Sequence, residues 1–373
     1  MERQIKSRII SDLKKKMVLL SGPRQVGKSF LAKMIMEEFK QPRYLNWDST
    51  KDRKVILDEG WSTHTDLLVL DEIHKMASWK NFLKGVYDTK PPSLSILVTG
   101  SARLETFRRS GDSLAGRYFH HRLLPVTPSE AGHVHLEKPL HHYLNRGGFP
   151  EPFLVENDNE AGRWRRQYID GLIREDILNF ENITQLKAMN LLVEMLRERV
   201  TAPLSYQGLS EDLDISPNTV KHYLEILEAL YIVFRIYPYH HSITRSLKKQ
   251  PKLYFFDTGL IKGDPGVKLE NCVALSLYRE NCLKEDQDGK KRELGYLKTK
   301  EGREVDFLLL EDQVPKTMIE VKASKSSLSN NLKYFHERYQ IPGIQLVGDL
   351  RLEYETGSLK VLKAMEWLSC PEF

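Results

Sequence analysis

Residues 22–29 are Gly-Pro-Arg-Gln-Val-Gly-Lys-Ser, and this stretch decides the fold of the amino-terminal part of the chain. Its two glycines stand five residues apart and Lys-Ser follows at once, which is the pattern of a phosphate-binding P-loop. The apolar run at 17–20 predicts a buried strand before the loop, and residues 30–39 predict a helix after it. An ordinary glycine loop is the competing interpretation, and the strand and helix on either side favour the phosphate-binding one.

The loop residues have separate expected roles. Glycines let backbone N–H groups converge on a β-phosphate, and the following helix N-terminus adds partial positive charge. Lys28 would reach the β- and γ-phosphates, and the Ser29 hydroxyl would hold Mg²⁺. The sequence therefore predicts binding of ATP and Mg²⁺. The residues expected to bind the nucleotide are Gly22, Pro23, Arg24, Gln25, Val26, Gly27, Lys28 and Ser29.

A pair of acids follows the second buried run. Residues 67–70 are Leu-Leu-Val-Leu and lead into Asp71-Glu72. A carboxylate at a strand end binds the Mg²⁺ shell, and the next one polarises the attacking water. Acids end many strands, but together with a P-loop one strand earlier the pair is a strong signal. Lys28, Asp71 and Glu72 are therefore predicted to be catalytic, and Ser29 and Asp71 to bind the metal.

A third apolar run, at 94–98, ends in Thr99-Gly100-Ser101. The Ser101 hydroxyl is placed where a polar group senses a γ-phosphate, so we include it among the candidate catalytic residues. A plain strand-end turn is an equally good interpretation.

With these motifs, the sequence resembles the AAA-type P-loop ATPases. It resembles more closely a bacterial and archaeal family of them whose loop is Gly-Pro-Arg-Gln-x-Gly-Lys. The resemblance continues through Leu-Ala-Gly-Arg at 114–117, Leu-Pro-Val-Thr-Pro-Ser-Glu at 124–130 and Gly-Gly-Phe-Pro-Glu at 147–151. It covers nearly the whole chain, and the loop and the Asp-Glu pair are its specific parts.

The resemblance also places an arginine. Arg117 lies between a helix and the last core strand, where such a family carries an arginine finger that offsets transition-state charge, often in a neighbouring subunit. A homo-oligomer is therefore expected if Arg117 acts in trans. An arginine paired to a local carboxylate is an equally good interpretation, and Arg103, Arg108 and Arg109 compete for the role.

Composition sets wider limits. The 373 residues suggest two or three domains, and no apolar run approaches the ~18 residues of a membrane helix. The first residues lack the apolar stretch of a signal peptide, and three cysteines without a CxxC motif fit a reducing compartment, so we expect a cytoplasmic protein without a membrane partner. The net charge of +5 is too small to establish a nucleic-acid partner.

Two basic clusters bear on that partner. One comprises Arg163, Arg165, Arg166 and Arg174, and the other Arg245, Lys248, Lys249 and Lys252. Solvated faces and phosphate-contacting patches are both open interpretations of such clusters.

Residues 138–200 are helical in pattern and resemble the helical lid that the AAA-type ATPases place over the nucleotide. Residues 201–260 predict a winged helix: a short helix at 209–213, a second from Ser216-Pro217, then a strand at 231–236. The outward face of the second helix carries Glu225 and Glu228 against Lys221, which disfavours groove insertion. DNA contact and a purely structural role therefore stay open for this module.

The last third predicts a small domain: one helix, three strands, a helix and another strand. The strands are expected near 293–299, 303–310 and 317–322. Asp306 stands on the second strand, and alternation places Glu320 and Lys322 on one face of the third. This order and the Glu-x-Lys pair resemble the restriction-endonuclease-like family, which implies that Asp306 and Glu320 hold Mg²⁺, Lys322 activates water and Glu270 completes the site. A satisfied salt-bridge cluster or an inactive relative is the alternative.

These observations predict an α/β protein with four parts: an AAA-type P-loop core with a parallel sheet at 1–135, a helical lid at 136–200, a winged-helix module at 201–260 and a nuclease-like domain at 261–373. The expected function is Mg²⁺-dependent ATP hydrolysis. Two purposes of hydrolysis stay open. The first is action on DNA, which the Asp306, Glu320 and Lys322 constellation favours; the second is a switch acting through protein contacts, which the modest charge favours.

Overall fold

The computed structural model describes residues 3–100, 114–131, 138–173, 186–239 and 249–371. Packing divides the chain into two compact units, Met1–Leu124 and Pro125–Phe373. The predicted boundaries at 135/136, 200/201 and 260/261 stay predictions. No helix in the described ranges is both long and apolar enough to cross a membrane.

The amino-terminal unit is built on a five-stranded parallel sheet. Its strands stand in the order β2-β3-β4-β1-β5. Their bounds are β1 Met17–Ser21, β2 Pro42–Asn46, β3 Leu67–Asp71, β4 Ser95–Thr99 and β5 Tyr118–Arg122. The helices are α1 Lys6–Leu13, α2 Lys28–Met36, α3 Thr50–Leu57 and α4 Trp79–Thr89, with a 3-10 turn at Ile73–Lys75.

Burial explains why these runs form strands. Every residue of β1 and β3 is buried, as expected for parallel strands whose two faces are covered. Trp79, Leu83 and Val86 of α4 belong to the same apolar cluster as the inner residues of the strands. Because the strands are parallel, their carboxyl ends lie at one edge of the sheet, which brings Ser21, Asp71 and Thr99 to that edge.

One glycine of the loop is required by a close approach. Gly22 has φ +149°, and a Cβ atom there would lie 2.1 Å from the carbonyl oxygen of Leu123. The turn out of β1 can therefore pass the segment after β5 only if residue 22 has no side chain.

The second unit begins with helices, as predicted for 138–200. They are α5 Pro139–Arg146, α6 Pro150–Leu154, α7 Asp158–Gly171 and α8 Leu186–Leu196. Next come α9 Tyr206–Leu213 and α10 Pro217–Ala229, joined by a turn in which Asp214 has φ +52°. The Ser216 hydroxyl caps α10 by accepting from the Thr219 amide, as the Ser-Pro signal indicates.

The strand after this helix pair belongs to the large sheet of the unit. β6 Val233–Pro238 starts two residues later than predicted and pairs antiparallel with β7 Lys252–Phe255. Its end pairs parallel with the first strand of the carboxyl-terminal part, Tyr237 opposite Gly295 and Pro238 opposite Tyr296. The hairpin of the predicted winged helix and the carboxyl-terminal strands therefore form one sheet.

The predicted order of the carboxyl-terminal part is confirmed. A 3-10 turn at Thr258–Leu260 precedes it, and the elements that follow are α11 Pro265–Asp288, β8 Arg292–Lys298, β9 Glu304–Glu311, β10 Val314–Lys322, α12 Asn330–Tyr339 and β11 Gly343–Val347. β8, β9 and β10 form an antiparallel meander, and β11 pairs parallel with β10. The chain ends with β12 Tyr354–Thr356, β13 Leu359–Lys363 and α13 Ala364–Ser369, and the eight-stranded order is β12-β13-β11-β10-β9-β8-β6-β7.

A buried ion pair joins the helices of this unit to the segment after β7. Arg165 of α7 donates to Asp257 at 2.9 Å and also to the carbonyl oxygens of Asn145 and Arg146. Gly147 closes α5 beside this pair with φ +66° and ψ −166°, a conformation adopted essentially by glycine alone. A Cβ atom on Gly147 would lie 1.8 Å from Oδ1 of Asp257.

Gly147→Ala should therefore destabilise the second unit. The backbone conformation alone costs about 1–3 kcal/mol for alanine, and the overlap with Asp257 adds to it. Differential scanning calorimetry should show a lower melting temperature. The matched control is Gly162→Ala in α7, where an added Cβ meets no atom within 4 Å and helix propensity favours alanine. Equal melting temperatures for the two variants would contradict the packing described for Gly147.

Candidate functional site

The P-loop lies between β1 and α2, in the predicted context of strand, turn and helix. α2 begins at Lys28, directly after Gly27 with φ +98°, and no side chain caps this helix end. A helix that starts without a side-chain cap presents its first N–H groups to whatever anion the loop encloses.

The Lys28 ammonium is held inside the loop. Its Nζ donates to the carbonyl oxygens of Gly22 at 3.0 Å and Pro23 at 2.6 Å, and the side chain is almost fully buried. Both acceptors are carbonyl oxygens of the loop itself, so the ammonium lies where phosphate oxygens entering the loop would meet it.

Three hydroxyl groups surround Asp71. Ser29 Oγ donates to Asp71 Oδ2 at 2.8 Å, Tyr44 donates to the same oxygen, and Thr99 donates to Oδ1. The structure thus brings together Ser29 and Asp71, which the sequence predicted as the metal-binding pair. A hydroxyl beside a carboxylate is an all-oxygen set of the kind that Mg²⁺ prefers, so these residues fit the ion.

Sequence reasoning missed Tyr44 and Thr99 as members of this site. Asn46 is the register partner of Asp71 on the neighbouring strand, so Tyr44, two residues earlier, shares its face of the sheet. Thr99 is the register partner of Asp71 on the other side. Only the strand register reveals these contacts, although the hydroxyl of Thr99 at a strand end was a usable signal.

Glu72 follows β3 in a left-handed conformation with φ +57°, unusual for a residue with a side chain. Its amide donates to the Thr99 carbonyl oxygen, and its carboxylate lies 3.4 Å from the Lys75 ammonium and 3.6 Å from His74 Nε2. Burial raises the pKa of the Glu72 carboxyl, and the Lys75 charge opposes that rise. A carboxylate of raised basicity is suited to accept a proton from water.

The remaining amino-terminal candidates are Ser101 and the arginines considered for an arginine finger, and none of them is placed at the loop by the described residues. Ser101, Arg103, Arg108 and Arg109 lie outside the described residues. Arg117 precedes β5, and its carbonyl oxygen accepts from the Met17 amide at the start of β1, so it lies at the edge opposite the P-loop, about 15 Å away along the strands. Its guanidinium makes two hydrogen bonds to Asp88, at 2.8 and 3.0 Å. Arg117 therefore does not serve the loop of its own chain, and a role in trans stays a prediction.

The carboxyl-terminal candidates lie on α11, β9 and β10, as predicted. Asp306 Oδ2 accepts from the Val321 amide at 2.9 Å, and Glu320 pairs with Lys322 at 2.7 Å. Burial raises the pKa of Glu320, while the bond to Lys322 opposes the rise. Within the described ranges, no three His, Cys, Asp or Glu side chains are arranged to hold a metal ion.

A lysine that the sequence did not place here lies among the acids. Lys252 Nζ is 2.6 Å from Glu304, 3.4 Å from Glu270 and 3.6 Å from Asp306. Burial lowers the Lys252 pKa, but the three carboxylates raise it by more, so the ammonium stays charged. We refer to Lys252, Glu270, Glu304 and Asp306 as the lysine-centred cluster.

Glu270 has a second donor in this cluster, the Tyr254 hydroxyl at 2.9 Å. Burial, and next the charge of Asp306, raise the pKa of Glu270 to about 7. Lys252 and Tyr254 both come from β7, so the hairpin strand supplies two polar groups to the acids of α11 and β9. No local sequence motif predicts these two contacts, because β7 is brought next to the acids only by the packing of the sheet.

Two members of the basic clusters, Arg165 and Lys252, and the nearby Arg235 are paired within the chain. Arg165 is paired with Asp257, Arg235 with Glu228, and Lys252 lies in the lysine-centred cluster. Neither open interpretation, a solvated face or a phosphate contact, applies to Lys252, because its ammonium is buried on carboxylates. Arg174, Arg245 and Lys248 lie outside the described residues, while Arg163, Arg166 and Lys249 are exposed.

Comparison with known families now has a geometry to refer to. Residues 14–131 match a family described as an AAA domain. The amino-terminal unit has a P-loop NTPase fold with a parallel sheet, and the matched model is that of an AAA domain. Residues 137–263 match one domain of unknown function, DUF8612, and residues 266–367 match another, DUF4143.

Relatives extend over most of the chain. An uncharacterized protein of Methanocaldococcus jannaschii is 26% identical over 79% of this chain and 72% of its own length. An uncharacterized protein of Mycobacterium tuberculosis is 25% identical over 65% of this chain, which spans about half (55%) of that relative. Among solved structures, the Walker-type ATPase of Pyrococcus abyssi is similar with a TM-score of 0.45 and 14% identity, over 72% of this chain and 95% of that one.

Removal of the Tyr44 hydroxyl tests the site around Asp71. Tyr44→Phe should lower the free energy of unfolding of the amino-terminal unit by about 1.5–3 kcal/mol, the value of a hydrogen bond to a charged group, and leave nucleotide binding in place. Calorimetric melting measures the first effect and a fluorescent nucleotide the second. The control is Tyr87→Phe, whose hydroxyl has no hydrogen bond among the described residues. An unchanged melting temperature for Tyr44→Phe would show that this hydroxyl does not hold Asp71.

Proposed function

We propose that this protein binds ATP with Mg²⁺ and hydrolyses it. The observation that carries the proposal is the Ser29 hydroxyl bonded to Asp71, with the Glu72 carboxylate next in the chain and raised in basicity by burial. The AAA-domain match over residues 14–131 supports the same conclusion.

Each residue has a task in this proposal. Lys28 and the loop amides bind the phosphates, Ser29 and Asp71 hold the metal, and Glu72 orients and deprotonates the attacking water. When bound, Mg²⁺ supplies Lewis-acid stabilisation of the phosphate charge. The Lys75 charge, 3.4 Å from Glu72, opposes the rise in the Glu72 pKa that burial causes.

Two substitutions separate binding from turnover. Lys28→Ala should abolish nucleotide binding or hydrolysis, because it removes the ammonium that lies inside the loop. Glu72→Gln should keep nucleotide binding and lower turnover by about 10²-fold or more, the usual contribution of a general base. Phosphate release and fluorescent-nucleotide binding measure the two properties. The control is Glu37→Gln, an exposed acid of the same unit, and full turnover in Glu72→Gln would remove Glu72 from the mechanism.

We further propose that the second unit combines a winged-helix module with a restriction-endonuclease-like fold, and that DNA is the associated polymer. What supports this is the arrangement of α11, the β8–β9–β10 meander, α12 and the parallel β11, with Asp306 and the Glu320–Lys322 pair on adjacent strands.

A second candidate is a nucleotide switch that acts through protein contacts, with a nuclease-like domain that does not cleave. It is favoured by the internal pairing of Arg165, Arg235 and Lys252, which leaves those charges unavailable to phosphates. The outward Glu225 on α10 is exposed and repels a DNA backbone as well.

The two candidates differ in a steady-state measurement. ATP hydrolysis with Mg²⁺ is followed while duplex and single-stranded DNA are titrated at near-physiological salt. If DNA is the partner, the rate should rise severalfold, and the rise should weaken as salt increases. A rate indifferent to both forms of DNA, in a protein whose turnover is abolished by Glu72→Gln, would exclude DNA from the cycle and leave the protein-switch candidate.

A further inference from the structure

The lysine-centred cluster has the geometry of an occupied cation site. Three carboxylate oxygens, from α11 and β9, converge on one point, and that point is Lys252 Nζ, at 2.6–3.6 Å from each of them. At these distances the three oxygens suit an ammonium, which here belongs to the chain itself, and as placed they do not form a cage for a metal ion.

The lysine is fixed in place by backbone pairing. Lys252 lies opposite Ile236 in the β6–β7 ladder and bridges to Pro203 on its other side. Its side chain is 97% buried and its ammonium stands 5.4 Å from the centre of the Tyr296 ring. A strand residue held from both sides cannot swing away as a loop residue could, so the ammonium stays on the acids.

Charge compensation then decides what the acids bind. Glu304 is shared between Lys252 and Lys298, which lies 2.8 Å from its second oxygen. Removal of Lys252 would take away the ammonium that the three acids share, and within the described part of the chain only Glu304 of the three would keep another paired lysine, Lys298. Ca²⁺ tolerates irregular oxygen cages at 2.3–2.6 Å, and shifts of about 1 Å by Glu270 and Asp306 would bring the three oxygens to that range.

We propose that the Lys252 ammonium takes the place of a divalent cation among Glu270, Glu304 and Asp306, so that this cluster excludes metal in the native protein and becomes a cation site when Lys252 is removed. The proposal concerns the second unit alone and is tested without nucleotide, so its outcome is independent of ATP hydrolysis. It implies that a metal held by Glu270 and Asp306 is not part of the native protein.

The experiment compares cation binding with and without Lys252. Terbium(III), a calcium-sized ion whose emission is sensitised by nearby tyrosine, is titrated into nucleotide-free protein, and Tyr254 and Tyr296 supply the rings. Lys252→Ala should gain an emission signal that Lys252→Ala/Asp306→Asn lacks. The wild type and Asp306→Asn should give equal signals. Lys298→Ala is the matched control, because it removes the other lysine on Glu304 and leaves Lys252 in place; it should gain nothing.

Calcium provides a second readout. Lys252→Ala should melt at a lower temperature than the wild type, and Ca²⁺ at a hundredfold excess over its dissociation constant should raise that temperature by about 5–10 °C. Ca²⁺ should shift the melting temperatures of the wild type and of Asp306→Asn by the same amount. If Lys252→Ala does not fold, Lys252→Met, which keeps an apolar side chain in the buried position and leaves all three acids in place, is tested with the same ion and the same Asp306→Asn partner.

Two results would overturn the proposal. An Asp306-dependent cation signal in the wild type would show that metal and Lys252 coexist, which is what an intact nuclease-like site requires. No Asp306-dependent signal in either Lys252 variant would show that the acids do not form a cation cage even when the ammonium is absent.

Discussion

A carboxylate buried in a protein needs hydrogen-bond donors or a cation beside it, because an uncompensated buried charge costs several kcal/mol. Both candidate sites of this chain follow from that constraint. Asp71 is compensated by the hydroxyls of Ser29, Tyr44 and Thr99. Glu270, Glu304 and Asp306 are compensated by the Lys252 ammonium. Hydroxyl donors orient a carboxylate without cancelling its charge, which is what the metal site proposed at Asp71 requires. The Lys252 ammonium offsets one negative charge among the three acids, and its position between them is the basis for the proposal that they exclude a metal ion.

The parallel sheet of the first unit and the mixed sheet of the second deliver these groups by the same means. In the first, the carboxyl ends of β1, β3 and β4 meet at one edge, so the P-loop and Asp71 are neighbours. In the second, the end of β6 pairs with β8, which aligns the β6–β7 hairpin with the acids of β9. Each site is therefore a consequence of strand order. Rigid strands hold the groups more accurately than loops would, which suits a P-loop site that must bind a metal and a nucleotide together.

The features that the sequence predicted correctly are those that depend on a local pattern of residues. The spacing of Gly22, Gly27 and Lys28 predicts the loop, and the apolar runs before the loop and before Asp71 predict its flanking strands. The order of elements from α11 to β11 followed from alternation and helical periodicity. Tyr44 and Lys252 were out of reach of this reasoning, because neither is marked by its neighbours in the chain. Both contact their partners across a sheet, and register is not visible in a single strand.

Arg117 and Lys252 show the same limit for charged residues. The sequence shows that a basic residue is present, but it does not show which acidic side chain offsets its charge. Arg117 lies at the sheet edge away from the loop and pairs with Asp88. Lys252, which the sequence grouped with Arg245, Lys248 and Lys249 in a basic cluster, is buried against three acids. The sequence by itself determined the P-loop, the acids after β3 and the succession of helices and strands, because these depend on short-range spacing and on which runs are apolar. The tertiary structure alone decided which acids accept hydrogen bonds from hydroxyl groups and which surround an ammonium, because these contacts join residues that are far apart in the chain.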